Sequence, residues 1–369
     1  MYEVQVIQNT SLSNKVKLFL DESNFYILKQ QKYMNEEENL NSFAGFNDLQ
    51  MIYYFVHQKK DIKKVRTDET KREYLRELLQ FVTTLHKNSN ILKIEEDALA
   101  IKFLQKRHIE AYQEFIATAS LGRDKKPYKV TTLARKTVIL KAFFKFIYSV
   151  GYTKENLCDG LLSSNVHRDD LPNRDMTYME VQKILEFYKD APIQYGLIIL
   201  LATTGIRIRE LTDAKFKDLT YENGEYWLKV KGKRNKEREV YIFPYVFDAI
   251  INYRKRRQLP IELNPLDDSP LFTSFNNKKF GPSYLSKYLT KVLSRTGFDF
   301  LYLNGRNGII TPHFLRHFYA IYSAEQGADV FRIQQSLGHE SIKTTMLYLD
   351  KQAKRKHNVA LTWRNKNSF

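Results

Sequence analysis

The chain has 369 residues, 43% of them apolar and 14% aromatic. That much apolar side chain excludes global disorder, and the length suggests two domains. Lys and Arg number 59 against 42 Asp and Glu, a formal charge of +17, so a polyanionic partner, above all nucleic acid, is expected.

A lone cysteine, Cys158, excludes an internal disulfide and a multi-cysteine metal site. No stretch approaches the run of apolar residues a membrane span needs, and the first residues lack the features of a secretory signal. The expectation is a soluble cytoplasmic protein with no membrane partner.

Residues 1–50 carry four basic and seven acidic side chains, so the front is not a basic arm. Residues 1–90 are the least readable part. Apolar residues at helical spacing (Ile101, Leu104, Ile109, Tyr112, Ile116) predict a helix over 94–118. A polar break at Gly122–Pro127 precedes a second helix from about Thr131 to Val150. Leu133, Leu140, Phe143, Phe144 and Ile147 share one arc of it. Lys141 and Lys145 fall on the opposite face, Arg135 near the edge, and Lys136 fits neither. Residues 101–150 hold eleven basic and three acidic residues, so this face is a candidate phosphate contact.

A polar linker with Pro172 follows, over about 163–175. Thr177 and Glu180 then form a capping-box signature opening a helix. Further helical patterns run over about 193–203, 207–217, 245–256, 283–296, 312–326 and 330–337. Tyr226–Val230 and Glu239–Ile242 look like two strands joined by the polar turn Gly232–Glu237.

Four segments carry chemistry-bearing residues. Thr204–Leu211 places Arg207 at a helix start, after Gly205. Val230–Arg238 has five basic residues among nine, including Lys233, Arg234 and Lys236. Thr311–His317 places His313 and Arg316 three apart on one helical face. Leu337–Tyr348 places His339 nine residues before Tyr348. Taken singly, each is weak. His313 and His317 could suggest a zinc pair, but the metalloprotease helix needs Glu where Phe314 stands, and no third ligand is suggested nearby. No metal or other cofactor is expected.

Taken together, the segments fit transesterification at a phosphodiester. Arginines can neutralise the charge of a pentavalent phosphate. A phenol can attack phosphorus if its proton is removed, and a lysine can protonate a leaving oxygen.

These motifs, in this order, resemble the tyrosine recombinases, also called phage-type integrases. They are TGIRIREL at 204–211, GKRNKER at 232–238, HFLR at 313–316, LGH at 337–339 and Tyr348. The resemblance covers about 95–355. It implies a mainly helical fold with a small β-hairpin or sheet, in a two-domain C-shaped DNA clamp. An N-terminal extension (1–90) would precede a core-binding domain (91–165), a linker (166–175), a catalytic domain (176–350) and a tail (351–369) exchanged between protomers. Arg207 and Arg316 would clamp the phosphate, Lys233 would protonate the leaving 5′ oxygen, His313 would assist proton transfer and His339 would hydrogen-bond the phosphate. Tyr348 would be the nucleophile, Glu210 would support the site from behind, and Arg135, Lys141, Lys145, Arg234 and Lys236 would contact DNA.

The implied partners are duplex DNA at a short specific site, further copies of the chain in a tetramer, and an accessory activator protein. Arg209 and Leu349–Asp350 depart from the usual pattern without touching a catalytic position. The acidic balance of the front argues against an arm-type DNA-binding domain. The expectation is therefore a nucleoid-associated Xer-like recombinase, of the larger XerH kind, resolving chromosome dimers. An integrase or excisionase of a mobile element, a type IB topoisomerase and a non-catalytic DNA-binding regulator stand as alternatives.

Overall fold

The computed structural model describes residues 10–59, 65–95, 99–162, 166, 174–232, 236–303, 306–342 and 345–346. They fall into two compact units divided between Leu171 and Pro172. Among the described residues no helix is long and apolar enough to cross a membrane.

The first unit contains α1 (Leu12–Phe19), α2 (Phe25–Glu37), α3 (Asp48–His57), α4 (Asp68–Lys87), the single turn α5 (Ser89–Leu92), α6 (Lys106–Thr118) and α7 (Val130–Ser149). One apolar cluster runs from Val16 to Leu157. Helices α1–α4 therefore share a core with α6 and α7. At its centre Phe55 meets Phe143 and Phe81 meets Phe144 edge-on, with ring centroids 5.3 and 5.5 Å apart; aromatic pairs favour this geometry.

The helix expected from residue 94 begins only at Lys106. Ala100 and Leu104 are extended, around a 3₁₀ turn at Ile101–Phe103. The cause is long-range. The Asp48 carboxylate accepts the Ile101 N–H at 2.9 Å and the Tyr152 hydroxyl at 2.7 Å, pinning this stretch to the start of α3.

Along α7, Leu140, Phe143, Phe144 and Ile147 are buried, while Lys141 and Lys145 are exposed. Lys136, which fitted no face, is buried because Glu77 and Gln80 of α4 receive its ammonium. Arg135 pairs with Glu73. Two acidic residues of α4, Glu73 and Glu77, thus neutralise basic residues of α7.

The second unit contains α8 (Tyr178–Phe187), α9 (Pro192–Thr204), α10 (Ile208–Asp213), β1 (Leu219–Glu222), β2 (Glu225–Lys231), β3 (Glu237–Ile242), α11 (Pro244–Arg256), α12 (Pro282–Ser294), α13 (Pro312–Glu325) and α14 (Val330–Leu337). The capping box before α8 forms: Thr177 Oγ1 accepts the Glu180 N–H at 3.2 Å, and the Glu180 carboxylate accepts the Thr177 N–H at 2.9 Å.

The sheet is antiparallel in the order β1-β2-β3. β1 was not anticipated. It pairs with β2 through a two-residue turn at Asn223 and Gly224, both at positive φ, with Glu222 opposite Glu225. Asn-Gly is the turn that suits the twist of a hairpin. α10 is shorter than the helix expected over 207–217. After Asp213 the chain peels away to bond the 267–271 segment, Phe216 N–H to Ser269 O and Leu271 N–H to Ala214 O, each at 2.9 Å.

Candidate active site

Two glycines shape the site. Gly205 ends α9 with φ +61°, and a Cβ there would lie 2.6 Å from Cδ1 of Tyr319. Gly205→Ala is therefore expected to destabilise the unit by at least the roughly 1–2 kcal/mol of a left-handed L-residue, with the ring clash added; chemical denaturation measures it. Gly338 ends α14 with φ +63°, and a Cβ there would lie 3.0 Å from Nη1 of Arg238. Glycine at these positions lets backbone and guanidinium approach closely.

The last carbonyls of α14 have no partner within the helix and carry the negative end of its dipole. Three arginines bind them. Arg238 Nε donates to Ser336 O at 2.8 Å. Arg316 Nη2 donates to Leu337 O at 2.7 Å, and its Nη1 donates to Gly205 O at 2.6 Å. Arg207 Nη1 donates to Leu337 O at 3.3 Å, and its Nη2 to Gly338 O at 3.4 Å. Arg316 is buried, whereas 41% of the Arg207 side chain remains accessible.

Glu210 lies behind this cluster and is buried. Its carboxylate accepts both terminal nitrogens of Arg238, at 3.0 and 2.8 Å. It also accepts the backbone N–H and Nη1 of Arg207, at 2.8 and 2.9 Å. Burial pushes its pKa up, but the hydrogen bonds and charge of Arg238, followed by those of Arg207, outweigh that and hold it below the ordinary value. Three guanidinium groups against one carboxylate leave these four side chains with a surplus of two positive charges, which suits an anion.

His339 follows Gly338. Its Nδ1 lies 2.8 Å from Oγ1 of Thr345, and its backbone N–H donates to Gln334 O at 3.1 Å. His313 stands in the first turn of α13, its ring 4.9 Å from that of His317. Burial, with Arg316, Arg207 and Arg238 next, lowers His339 to about 4. His313 keeps solvent access; the packed surroundings and then Arg174, Arg316 and Arg207 lower it to about 4. Burial, then His313 and Arg174, lower His317 to about 3. All three rings are therefore neutral at neutral pH.

A histidine whose folded pKa lies below its unfolded value of 6.5 takes up its proton more readily when unfolded. Its stabilising contribution is full above pH 6.5 and is lost as pH falls towards 4. Thermal melts at pH 5 are expected to fall below those at pH 7.5.

The structure thus brings together Arg207, Glu210, Arg316 and His339 with Arg238, and places His313 close enough for Arg207 and Arg316 to depress its pKa. Lys233, Arg234 and Tyr348 lie outside the described residues. The chain next to the first two enters the cluster: Gly232 N–H donates to Lys236 O at 2.7 Å, and a Cβ on Gly232 would lie 3.4 Å from the Glu210 carboxylate. Lys236 is exposed. Arg135, Lys141 and Lys145 belong to the other unit. Two residues of the site had been given no role: Arg238, the last residue of GKRNKER, and Thr345. Among the described residues no group of three His, Cys, Asp or Glu side chains is placed to hold a metal ion.

The phage integrase family matches residues 174–355. The tyrosine recombinase XerC of Thermodesulfovibrio yellowstonii is 31% identical over 230 residues, covering 59% of this chain and 70% of that protein. The tyrosine recombinase XerA of Pyrococcus furiosus is 29% identical over 287 residues, 77% of this chain and 91% of that one. Two solved structures share the fold. XerH bound to palindromic difH substrate in a post-cleavage complex has a TM-score of 0.59 at 19% identity, over 87% of this chain and 99% of that one. A lambda integrase dimer bound to a COC′ core site has a TM-score of 0.61 at 14% identity, over 90% and 85%. The chain is a Xer-like member of the tyrosine recombinase family, a family of site-specific DNA strand-exchange enzymes.

Proposed function

We propose that this recombinase cuts and rejoins duplex DNA at a short specific site through a 3′-phosphotyrosyl intermediate, and that its role is Xer-type resolution of chromosome dimers. The observation that carries the chemistry is the gathering of Arg207, Arg316 and His339 on the single turn Leu337–His339, nine residues before Tyr348.

In this reading the Tyr348 oxygen bonds to phosphorus as the bond to the 5′ oxygen breaks. Lys233 gives that oxygen a proton, and His313 assists proton transfer. Arg207 and Arg316 hold the non-bridging oxygens as negative charge grows, which is where phosphoryl transfer gains most of its rate. His339 donates to the same phosphate, and Glu210 holds Arg207 and Arg238 in place. One phosphoester replaces another, so no nucleotide cofactor enters. A 5′ hydroxyl from the exchanged strand then displaces the tyrosine.

Residues 91–165 would serve as the core-binding domain, on a core to which α1–α4 also contribute, from Val16 onward. Residues 166–175 link it to the catalytic domain at 176–350. The tail at 351–369, with Val359, Leu361 and Trp363, would dock on a neighbouring copy in a tetramer. A groove of about 740 Å³, whose lining includes Val181, Leu185, Tyr195, Phe243, Phe318 and Tyr322, would be its receptor. An accessory activator would act on that assembly.

A duplex nicked beside the cleavage point should trap a covalent adduct, and Tyr348→Phe should not form it. An adduct with that variant would sink the assignment of the nucleophile. Relaxation of supercoils without a specific site would indicate a topoisomerase, a footprint without cleavage a regulator, and insertion of a flanking mobile element an integrase.

Lys141 and Lys145 are exposed on α7, and Arg234 and Lys236 would act from the hairpin. Lys141→Ala and Lys145→Ala are each expected to weaken DNA binding and reduce the salt slope by about one. Arg135→Ala is expected to change the slope less, because Glu73 already pairs with it. Binding titrations across salt concentrations decide this, and an unchanged slope for Lys141 and Lys145 would remove them from the interface.

A further inference from the structure

Thr345 is fully buried, and its hydroxyl oxygen lies 2.8 Å from Nδ1 of His339. The backbone of His339 is held separately by Gln334, which accepts its N–H through the main chain and donates to its carbonyl through the side chain, each at 3.1 Å. Those bonds place the residue but do not orient its imidazole. The contact to Thr345 bears on the ring itself, from a residue only three positions before Tyr348.

A hydroxyl can donate or accept, and a neutral imidazole has one N–H and one lone pair. The group this site is built to hold, amid Arg207, Arg238 and Arg316, is an anion, and an anion needs a donor. If His339 is to present an N–H to it, Nδ1 must be the acceptor and the proton must sit on Nε2. The proposal rests on the recombinase reading above, in which His339 hydrogen-bonds the phosphate.

We propose that Thr345 is a positioning residue: its hydroxyl donates to Nδ1 of His339, fixes the ring with its proton on Nε2, and so couples the orientation of this donor to the segment that carries the nucleophile. Burial and the neighbouring arginines keep the ring neutral near pH 7, so the choice between the two neutral forms matters there.

The test uses the full chain with ¹⁵N-labelled histidine, the His339 signals being assigned by their absence from His339→Ala. The ring nitrogens should report Nε2 protonated and Nδ1 bare in the wild-type protein, and a mixture of forms in Thr345→Val. On the nicked duplex, Thr345→Val should form the covalent adduct about tenfold more slowly, the worth of one hydrogen bond, with site binding unchanged. Thr345→Ser, which keeps the hydroxyl, should restore the rate, and Thr345→Val should add little to His339→Ala.

A proton on Nδ1 in the wild-type protein would overturn the assignment. So would a wild-type rate in a folded Thr345→Val, or full additivity with His339→Ala. If the wild-type protein forms no adduct at all, the recombinase reading fails instead, and the ring signals still decide what Thr345 does.

Discussion

Arg316→Lys will bind its DNA site with affinity close to wild type and cleave it about 10³-fold more slowly. Arg316 is buried and reaches two carbonyls from different elements, Gly205 at the end of α9 and Leu337 at the end of α14. Those bonds fix the plane of the guanidinium, which in the proposed mechanism must face a phosphate oxygen. A lysine has one tetrahedral ammonium on a flexible stem and cannot satisfy both carbonyls while offering a donor in the same direction.

An arginine that stabilises a transferring phosphoryl group contributes about 10³–10⁵ in rate. Lysine keeps the charge, so the lower end applies. Affinity changes little because it is spread over many phosphates. Single-turnover cleavage and a mobility-shift titration separate the two quantities. Cleavage within tenfold of wild type would show that Arg316 serves the fold rather than the phosphate.

Glu210→Ala is expected to cost about 3–5 kcal/mol of stability, the range for removing one partner of a buried ion pair. Arg238, with 13% of its side chain accessible, loses both carboxylate contacts. Arg207, more accessible, can turn to water and adds less. Glu210→Gln keeps the shape and one acceptor and should fall between. Denaturant titration measures the loss, and cleavage should fall with it because the Arg207 guanidinium is left to its longer bonds to the Leu337 and Gly338 carbonyls.

The sign with pH follows from the depressed carboxyl. Its contribution is present above the ordinary glutamate range and is lost as pH falls through the lower folded value. Wild type and Glu210→Gln should therefore converge in stability at strongly acid pH. A pH-independent difference would contradict the ion-pair account.

Local signals were legible where local physics decides. The capping box at Thr177, the apolar arc of α7 and the helices flanking Gly205 and Gly338 can be read because cap, period and terminator lie within a few residues of each other. Arg207, Glu210, Arg316 and His339 were legible on other grounds, the resemblance of their motifs, in order, to those of a family, since each segment taken singly is weak. What was not legible depends on distant partners. Ile101 and Leu104 keep helical spacing, yet Asp48, about fifty residues away in sequence, takes the amide that a helix would need. Lys136 was ambiguous because its counter-charge is on α4. Arg238 drew no role because Glu210 and Ser336, both remote, give it one. β1 is the exception, since Asn223-Gly224 announced the hairpin locally and went unread.

Arg207, Arg238 and Arg316 come from three separated places in the chain, yet all rest on the main-chain oxygens of Ser336, Leu337 and Gly338. Side-chain identity at 336 and 337 does not supply those oxygens; the path of the polypeptide does. Adding or deleting a residue there would shift all three supports together, so the cationic cluster should be lost as one unit rather than weakened charge by charge.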